Sequence, residues 1–267
     1  MVEIKITKAA KLKPKYTDES KLGFGKVFTD HMLTMLFDKA KGGWGPIEIK
    51  PYGNISLDPA ACGLHYGQLI FEGLKCYSTA KGLQMFRPRK NFERMNKSAL
   101  RMCMEPVNTD DVLKGLKELI KLDADWIPKS KGTSLYIRPT MVAIEPFLGV
   151  HPSTQYLFYI ILCPVGAYYA TGFAPVKIMV EDKYVRASNG GVGDSKTAGN
   201  YAASLKSAEE AMAKGFTQVL WLDAQERKYV EEVGTMNMMF KIKDEVITPP
   251  LGGSILPGVT RDSVIQI

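Results

Sequence analysis

The stretch Gly190-Gly191-Val192-Gly193-Asp194-Ser195-Lys196-Thr197 lies between an apolar strand-like run and a helical one, and the fold turns on how its lysine is read. As a pattern it nearly matches the phosphate-cradling loop GxxxxGK[ST], with Ser195 where that motif needs its second glycine. That glycine lets backbone N–H groups wrap the phosphates, which a residue with a side chain tolerates poorly. The run Val219-Leu220-Trp221-Leu222 ends in Asp223, a carboxylate that could hold magnesium for a nucleotide triphosphatase. The other reading makes Lys196 a nucleophilic amine facing a carbonyl cofactor, with the glycines letting that cofactor lie against the backbone. A pyridoxal cofactor needs an anion at its ring nitrogen, a donor at its phenolic oxygen and a cup for its phosphate.

Working outward, the residues after Lys196 give a helix from Asn200 to Lys214 stopped by Gly215, then strands over Thr217–Asp223, Asn237–Ile242 and Val246–Thr248. Val176–Glu181 is a strand before the loop, and a last helix begins within GVTRDSVIQI. Toward the N-terminus, Leu69–Tyr77, Ser134–Ile144 and Gln155–Cys163 have strand character. Phe92, Met95, Ala99 and Met102 recur at helical spacing, as do Val112, Leu113, Leu116, Leu119 and Ile120 behind Thr109 as N-cap. The Pro- and Gly-rich CPVGAYYATGFAP separates the two blocks. The expected organisation is α+β with a smaller mixed domain over residues 1–163, a linker over 164–175 and a cofactor-binding domain over 176–267.

Composition narrows the class. The chain has 267 residues, 45% hydrophobic and 24% charged, which excludes disorder, collagen and coiled coil as the main architecture. Cys62, Cys76, Cys103 and Cys163 form no CxxC and the three histidines are scattered, so neither a disulfide framework nor a zinc site is expected. Of the net charge of +7, residues 1–170 carry 24 basic against 16 acidic groups and residues 171–267 carry 11 against 12. With no Arg-rich stripe, this thin excess describes a solvated surface and points to no nucleic-acid partner. The longest apolar run, Tyr156–Val165, is half of a membrane span, and the N-terminus has no secretory apolar region. A cytoplasmic protein with no membrane partner is the expectation.

The strings GVGDSKTAGNY (191–201), EVGTMNMMF (232–240) and LPGVTR (256–261) resemble the branched-chain amino acid aminotransferases, fold type IV pyridoxal-phosphate enzymes. FGKVFTDHM (24–32), LHYGQLIFEGLK (64–75), FRPRKNFERM (86–95), LYIRP (135–139), EPFLGV (145–150) and ILCPVGAY (161–168) are similar to that family's signatures in its order. The resemblance implies pyridoxal 5'-phosphate as cofactor. Lys196 is then its Schiff-base lysine and proton carrier, and Tyr201 the partner of its phenolic oxygen. Glu232, which directly precedes Val-Gly-Thr, becomes the anion at the ring nitrogen, and strand alternation turns Glu231 away as an ordinary surface acid. The phosphate falls to Arg94, Val259 and Thr260. On helical spacing alone Arg94 leaves the apolar face and would be an exposed arginine.

Phe24, Tyr66, Phe71, Tyr136, Leu148 and Thr235 match the family's substrate pocket, with Arg138 holding the carboxylate end; Tyr136 and Arg138 share one strand face. Tyr66 and Leu148 would come from a neighbouring subunit, which implies a homodimer. The implied reaction moves the amino group of leucine, isoleucine or valine to 2-oxoglutarate, giving glutamate, in ping-pong order. Rivals are a D-amino acid aminotransferase, an aminodeoxychorismate lyase, the P-loop NTPase, and a non-catalytic remnant of the fold. The family continues beyond LPGVTR, so the resemblance also implies that the larger domain is incomplete, with part of its phosphate and carboxylate site absent.

Overall fold

The computed structural model describes residues 2–166 and 174–267, in two compact units, Met1–Phe173 and Ala174–Ile267. Most of the expected linker, residues 167–173, lies outside the described residues, and its first two positions, Pro164 and Val165, belong to a strand.

In the first unit the strands are β1 (Ile4–Ile6), β2 (His31–Asp38), β3 (Gly43–Trp44), β4 (Ile47–Pro51), β5 (Leu69–Phe71), β6 (Leu74–Thr79), β7 (Gly82–Met85), β8 (Ser134–Ala143) and β9 (Gln155–Val165). They form one sheet in the order β1-β4-β2-β9-β8-β6-β7, with β3 on β2 and β5 on β8; β1 and β4 run parallel and the other pairs antiparallel. The helices are the short α1 (Cys62–Tyr66), then α2 (Pro88–Arg101) and α3 (Thr109–Leu122). The expected apolar stripes do bury: Phe92, Met95, Ala99, Val112, Leu116 and Leu119 are fully enclosed with Leu33, Ile47, Leu135 and Phe158 of the sheet. Burying each such side chain stabilises the unit by about 1.5–3 kcal/mol.

Two local expectations change. The cap of α3 is Asn108, whose side-chain oxygen accepts the Asp111 N–H at 3.1 Å, so Thr109 is already helical. The single strand expected over Leu69–Tyr77 is two strands interrupted at Glu72-Gly73: the Glu72 N–H still donates to Pro139 O at 2.8 Å while its side chain meets an arginine on α2, and a Cβ at Gly73 would overlap the Tyr136 hydroxyl.

The second unit has a smaller sheet, β10 (Ile178–Val180), β11 (Gln218–Leu222), β12 (Val230–Val233) and β13 (Met236–Asn237), and a separate hairpin, β14 (Phe240–Ile242) with β15 (Glu245–Ile247). The helix expected over Asn200–Lys214 is split into α4 (Ala198–Ala202) and α5 (Leu205–Ala213), and Gly215, in the left-handed region at φ 78°, ends it. The last helix, α6, spans Val259–Gln266. Ala211, Val219 and Trp221 form the centre of this unit's core.

Candidate active site

In the second unit the glycine-rich segment is folded as a ledge that delivers Lys196. A Cβ at Gly193 would overlap the Ser254 carbonyl oxygen, so only glycine lets the two segments close up. Asn200 then staples the loop, donating to the carbonyls of Val192 at 2.7 Å and Ser195 at 2.8 Å. The result aims Lys196 Nζ at the Tyr201 hydroxyl, 2.7 Å away. The phosphate-loop reading fails at the same place. The Ser195 N–H donates to Val192 O at 3.0 Å and so does not face a phosphate. Asp223 accepts the N–H groups of Gln225, Glu226, Lys228 and Tyr229, which hold its carboxyl well below the usual range and make it the clasp of a turn.

Glu232 sits on β12 beside this ledge, its side chain 3% exposed. Asn237 Nδ2 donates to its Oε1 at 2.8 Å and to Leu256 O at 2.9 Å. Arg186 Nε stands 2.7 Å from its Oε2, within ion-pair distance but not aligned as a hydrogen bond. The Arg186 Nη2 group donates instead to the carbonyls of Gly193, at 3.1 Å, and Ser254. Burial pushes the Glu232 carboxyl up to about 7, against the pull of Arg186, the Leu256 amide and Lys196 and with the push of Glu231. Tyr201, Glu232, Arg186, Asn200 and Thr235 line one small pocket, with Thr235 exposed at its rim. Val259 and Thr260 open α6 behind Gly258 as its N-cap, with the Asn237 side chain against Gly258.

Glu231 departs from the expectation of a surface acid. It is half-buried, and its Oε1 accepts the hydroxyl of Ser254.

In the first unit, Arg94 is not the exposed residue that helical spacing suggests. Its side chain is 11% exposed and meets the fully buried Glu72 through two contacts, Nε to Oε1 at 2.7 Å and Nη2 to Oε2 at 2.9 Å. Asn91 Nδ2 and the Gly73 N–H also donate to Glu72 Oε2, at 3.0 and 3.1 Å. One residue before Glu72, the Phe71 ring lies under the Arg138 guanidinium at 4.5 Å. Arg138 Nη2 donates to the Tyr136 hydroxyl at 2.8 Å, and the Tyr136 ring meets Phe24 edge-on at 4.8 Å. Phe24, Phe71, Tyr136 and Arg138 are thus brought together, with Tyr136 and Arg138 on one face of β8 as alternation requires. Tyr66 and Leu148 stay outside these contacts. Tyr66 ends α1 and Leu148 follows Phe147, whose N–H donates to Ala60 O at 3.1 Å; both side chains are exposed, at 44% and 67%.

Glu72, Arg186, Asn200 and Asn237 were not legible as site residues. Arg186 and Glu72 could have been sought by asking what neutralises a buried glutamate and a buried arginine, since neither charge is stable alone. Among the described residues no group of three or more His, Cys, Asp or Glu could hold a metal ion, and no helix is long and apolar enough to cross a membrane.

Comparison with known proteins places this geometry. Residues 69–267 match the family model described as amino-transferase class IV. The chain is 54% identical, over its whole length and 72% of the relative's, to branched-chain-amino-acid aminotransferase 2 of Bacillus subtilis (strain 168). It is 48% identical, over 95% of its length and 68% of the relative's, to the branched-chain-amino-acid aminotransferase of Dictyostelium discoideum. Among solved structures, the Escherichia coli branched-chain amino acid aminotransferase overlays with a TM-score of 0.74 at 28% identity, covering 89% of this chain and 73% of that one. A second solved branched-chain amino acid aminotransferase, with pyridoxamine 5'-phosphate, gives 0.73 at 27% identity over 92% of this chain and 73% of that one. With its lysine ledge, buried glutamate and matched sequence, the chain belongs to the class IV amino-transferases, with the fold type IV architecture and the branched-chain enzymes as its relatives.

Proposed function

We propose that the protein transaminates branched-chain L-amino acids, leucine, isoleucine and valine, with 2-oxoglutarate, in ping-pong order and with pyridoxal 5'-phosphate as cofactor. The observation that carries this reading is the pairing of Lys196 with the Tyr201 hydroxyl at 2.7 Å beside a buried Glu232 whose carboxyl is pushed up to about 7. These residues fit the cofactor. The Glu232 carboxylate lines a small pocket together with Tyr201, so a protonated ring nitrogen would find an anion there and a phenolic oxygen the hydroxyl that Lys196 also meets. When bound, the cofactor supplies an aldehyde that captures amines and a ring that takes up electrons from the substrate carbon.

The chain's own groups do the rest. Lys196 carries the proton between the substrate carbon and the cofactor, and its hydrogen bond to Tyr201 holds Nζ in place for that transfer. Glu232 keeps the ring nitrogen protonated, and Asn237 fixes the carboxylate's orientation. The phosphate-binding groups of this reading are Arg94, oriented by Glu72, in the first unit and, in the second, the Thr260 hydroxyl and the N–H groups of Val259 and Thr260 at the start of α6. Phe24, Phe71 and Tyr136 supply the apolar substrate contacts of the first unit, Arg138 orders the carboxylate end through Tyr136, and Thr235 is the substrate contact of the second unit. Tyr66 and Leu148, exposed in the single chain, complete a neighbour's pocket in a homodimer.

Purified protein incubated with pyridoxal 5'-phosphate should gain a visible absorbance band and turn over leucine, isoleucine and valine in an amino-acid panel with 2-oxoglutarate. Lys196→Ala should lose the band and about 10³-fold or more of the activity. A colourless protein that takes up no pyridoxal 5'-phosphate would sink the reading, and a panel answered only by D-amino acids would move it to another member of the fold.

A further inference from the structure

Strand β12 presents its two adjacent glutamates to opposite sides, yet neither ends in water. Glu232 faces the Lys196 pocket, while Glu231 accepts the hydroxyl of Ser254, a residue only 3% exposed. The carbonyl of Ser254 accepts Nη2 of Arg186, the guanidinium that faces Glu232. The same Nη2 holds the carbonyl of Gly193, three residues before Lys196, and the next N–H along that loop, of Asp194, donates to Gly253 O at 3.2 Å. Three segments therefore meet on one guanidinium: the lysine ledge, the 253–254 turn and β12.

We infer that Glu231 is a positioning residue for cofactor binding, tethering Ser254 so that its carbonyl fixes Arg186 against Glu232. A mobile Ser254 would let the guanidinium follow its carbonyl acceptors away from Glu232, and the ring-nitrogen anchor would lose its fixed partner. Glu231 acts on Glu232 in a second way, as a like charge that pushes the same carboxyl up. The charged groups acting on Glu232 are Arg186, Lys196 and Glu231, with the Asn237 amide and the Leu256 N–H as neutral donors. Tether and charge can be separated, because a glutamine at 231 still accepts the Ser254 hydroxyl but carries no charge.

This inference rests on the proposed cofactor, so its test has one arm with the cofactor and one without. In the first, pyridoxal 5'-phosphate is titrated into wild type, Glu231→Ala, Glu231→Gln, Ser254→Ala and the double alanine variant, with folding checked by circular dichroism. Glu231→Ala and Ser254→Ala should each weaken binding about tenfold, the double variant no further, and Glu231→Gln should restore affinity to within about threefold, the pattern of one lost hydrogen-bonded tether. In the second arm, the protonation midpoint of Glu232 is followed in cofactor-free protein by infrared difference spectroscopy against Glu232→Gln. Ser254→Ala should raise that midpoint by loosening Arg186, and Glu231→Gln should lower it by removing the like charge.

Wild-type affinity in Glu231→Ala, equal losses in Glu231→Gln and Glu231→Ala, or an unmoved midpoint in Ser254→Ala would each overturn the inference. Should Glu231→Ala fail to fold, Ser254→Ala, which removes one oxygen atom, carries both arms. If wild type itself takes up no pyridoxal 5'-phosphate, the proposed function fails, and the cofactor-free arm still decides whether Ser254 governs Arg186.

Discussion

Arg94 and Glu72 in the first unit meet through two parallel contacts, at 2.7 and 2.9 Å, whereas Arg186 and Glu232 in the second meet through one at 2.7 Å that is not aligned as a hydrogen bond. Each carboxylate has two further donors, Asn91 and the Gly73 N–H for Glu72 and Asn237 and the Leu256 N–H for Glu232, so the difference lies in the guanidinium and in the setting. Glu72 lies beside the stripe of α2 that packs on the nine-stranded sheet. Glu232 sits in a four-stranded sheet whose core centres on Ala211, Val219 and Trp221, and its guanidinium partner divides its donors between the carboxylate and two backbone carbonyls. The first pair is closed by two aligned donors, which fixes the direction of the Arg94 guanidinium. The second is open, and burial prevails over its partners to push the carboxyl up to about 7. Both are buried arginine–glutamate pairs, and what separates them is how the guanidinium meets the carboxylate, through two aligned donors in one and a single unaligned one in the other.

The largest effect that could break this contrast is on the closed pair. Glu72→Ala leaves the Arg94 guanidinium buried without its carboxylate and should cost about 3–5 kcal/mol of stability, read as a lowered denaturant midpoint with unchanged slope. A loss within experimental error would mean that the brace carries no structural weight.

The open pair should show itself through pH. The Glu232 carboxyl is raised from 4.5 to about 7 in the folded chain, so it binds its proton more tightly folded than unfolded. Its contribution is therefore fully present below pH 4.5 and is lost as pH rises through 7, a span of roughly 3 kcal/mol. Cofactor-free wild type should lose stability from about pH 5 to about pH 8 relative to Glu232→Gln in parallel melts, and parallel curves would show that the carboxylate is already balanced.

The smallest effect sharpens the comparison inside the second unit. Tyr201→Phe removes the hydroxyl that holds Lys196 Nζ and should lower turnover about tenfold, with little change in melting temperature, because a single hydrogen bond of this kind is worth about 1 kcal/mol. A large drop in stability would make Tyr201 a core residue first.

Local pattern makes some of this legible and cannot reach the rest. The stripes of α2 and α3 declare themselves by spacing, and β8 and β9 by long apolar runs, because each signal is contained in one segment. Strand β2 escapes that reading: its Met, Leu and Thr are buried on both faces, so no alternation marks it. The break between β5 and β6 is equally hidden, since the Tyr136 hydroxyl that requires a glycine at 73 comes from β8 and not from the segment itself. Lys196, Tyr201 and Glu232 enter through resemblance of their flanking strings, and structure adds that the first two touch and that the third is buried. Arg186 has no string to announce it. The acid beside Glu232 is misplaced by pattern alone because alternation says which side a residue takes, not whether that side is wet.

The amide of Asn237 spans the buried carboxylate of Glu232 and the carbonyl of Leu256, two residues before the cap of α6. That one side chain sets a gauge. On its near side is a group suited to a cationic ring nitrogen, and beyond Leu256 is a helix start suited to a phosphate, so the interval between them is a property of the fold rather than of two independent loops. A ligand carrying both charges would therefore meet its two partners at a separation that Asn237 helps to fix.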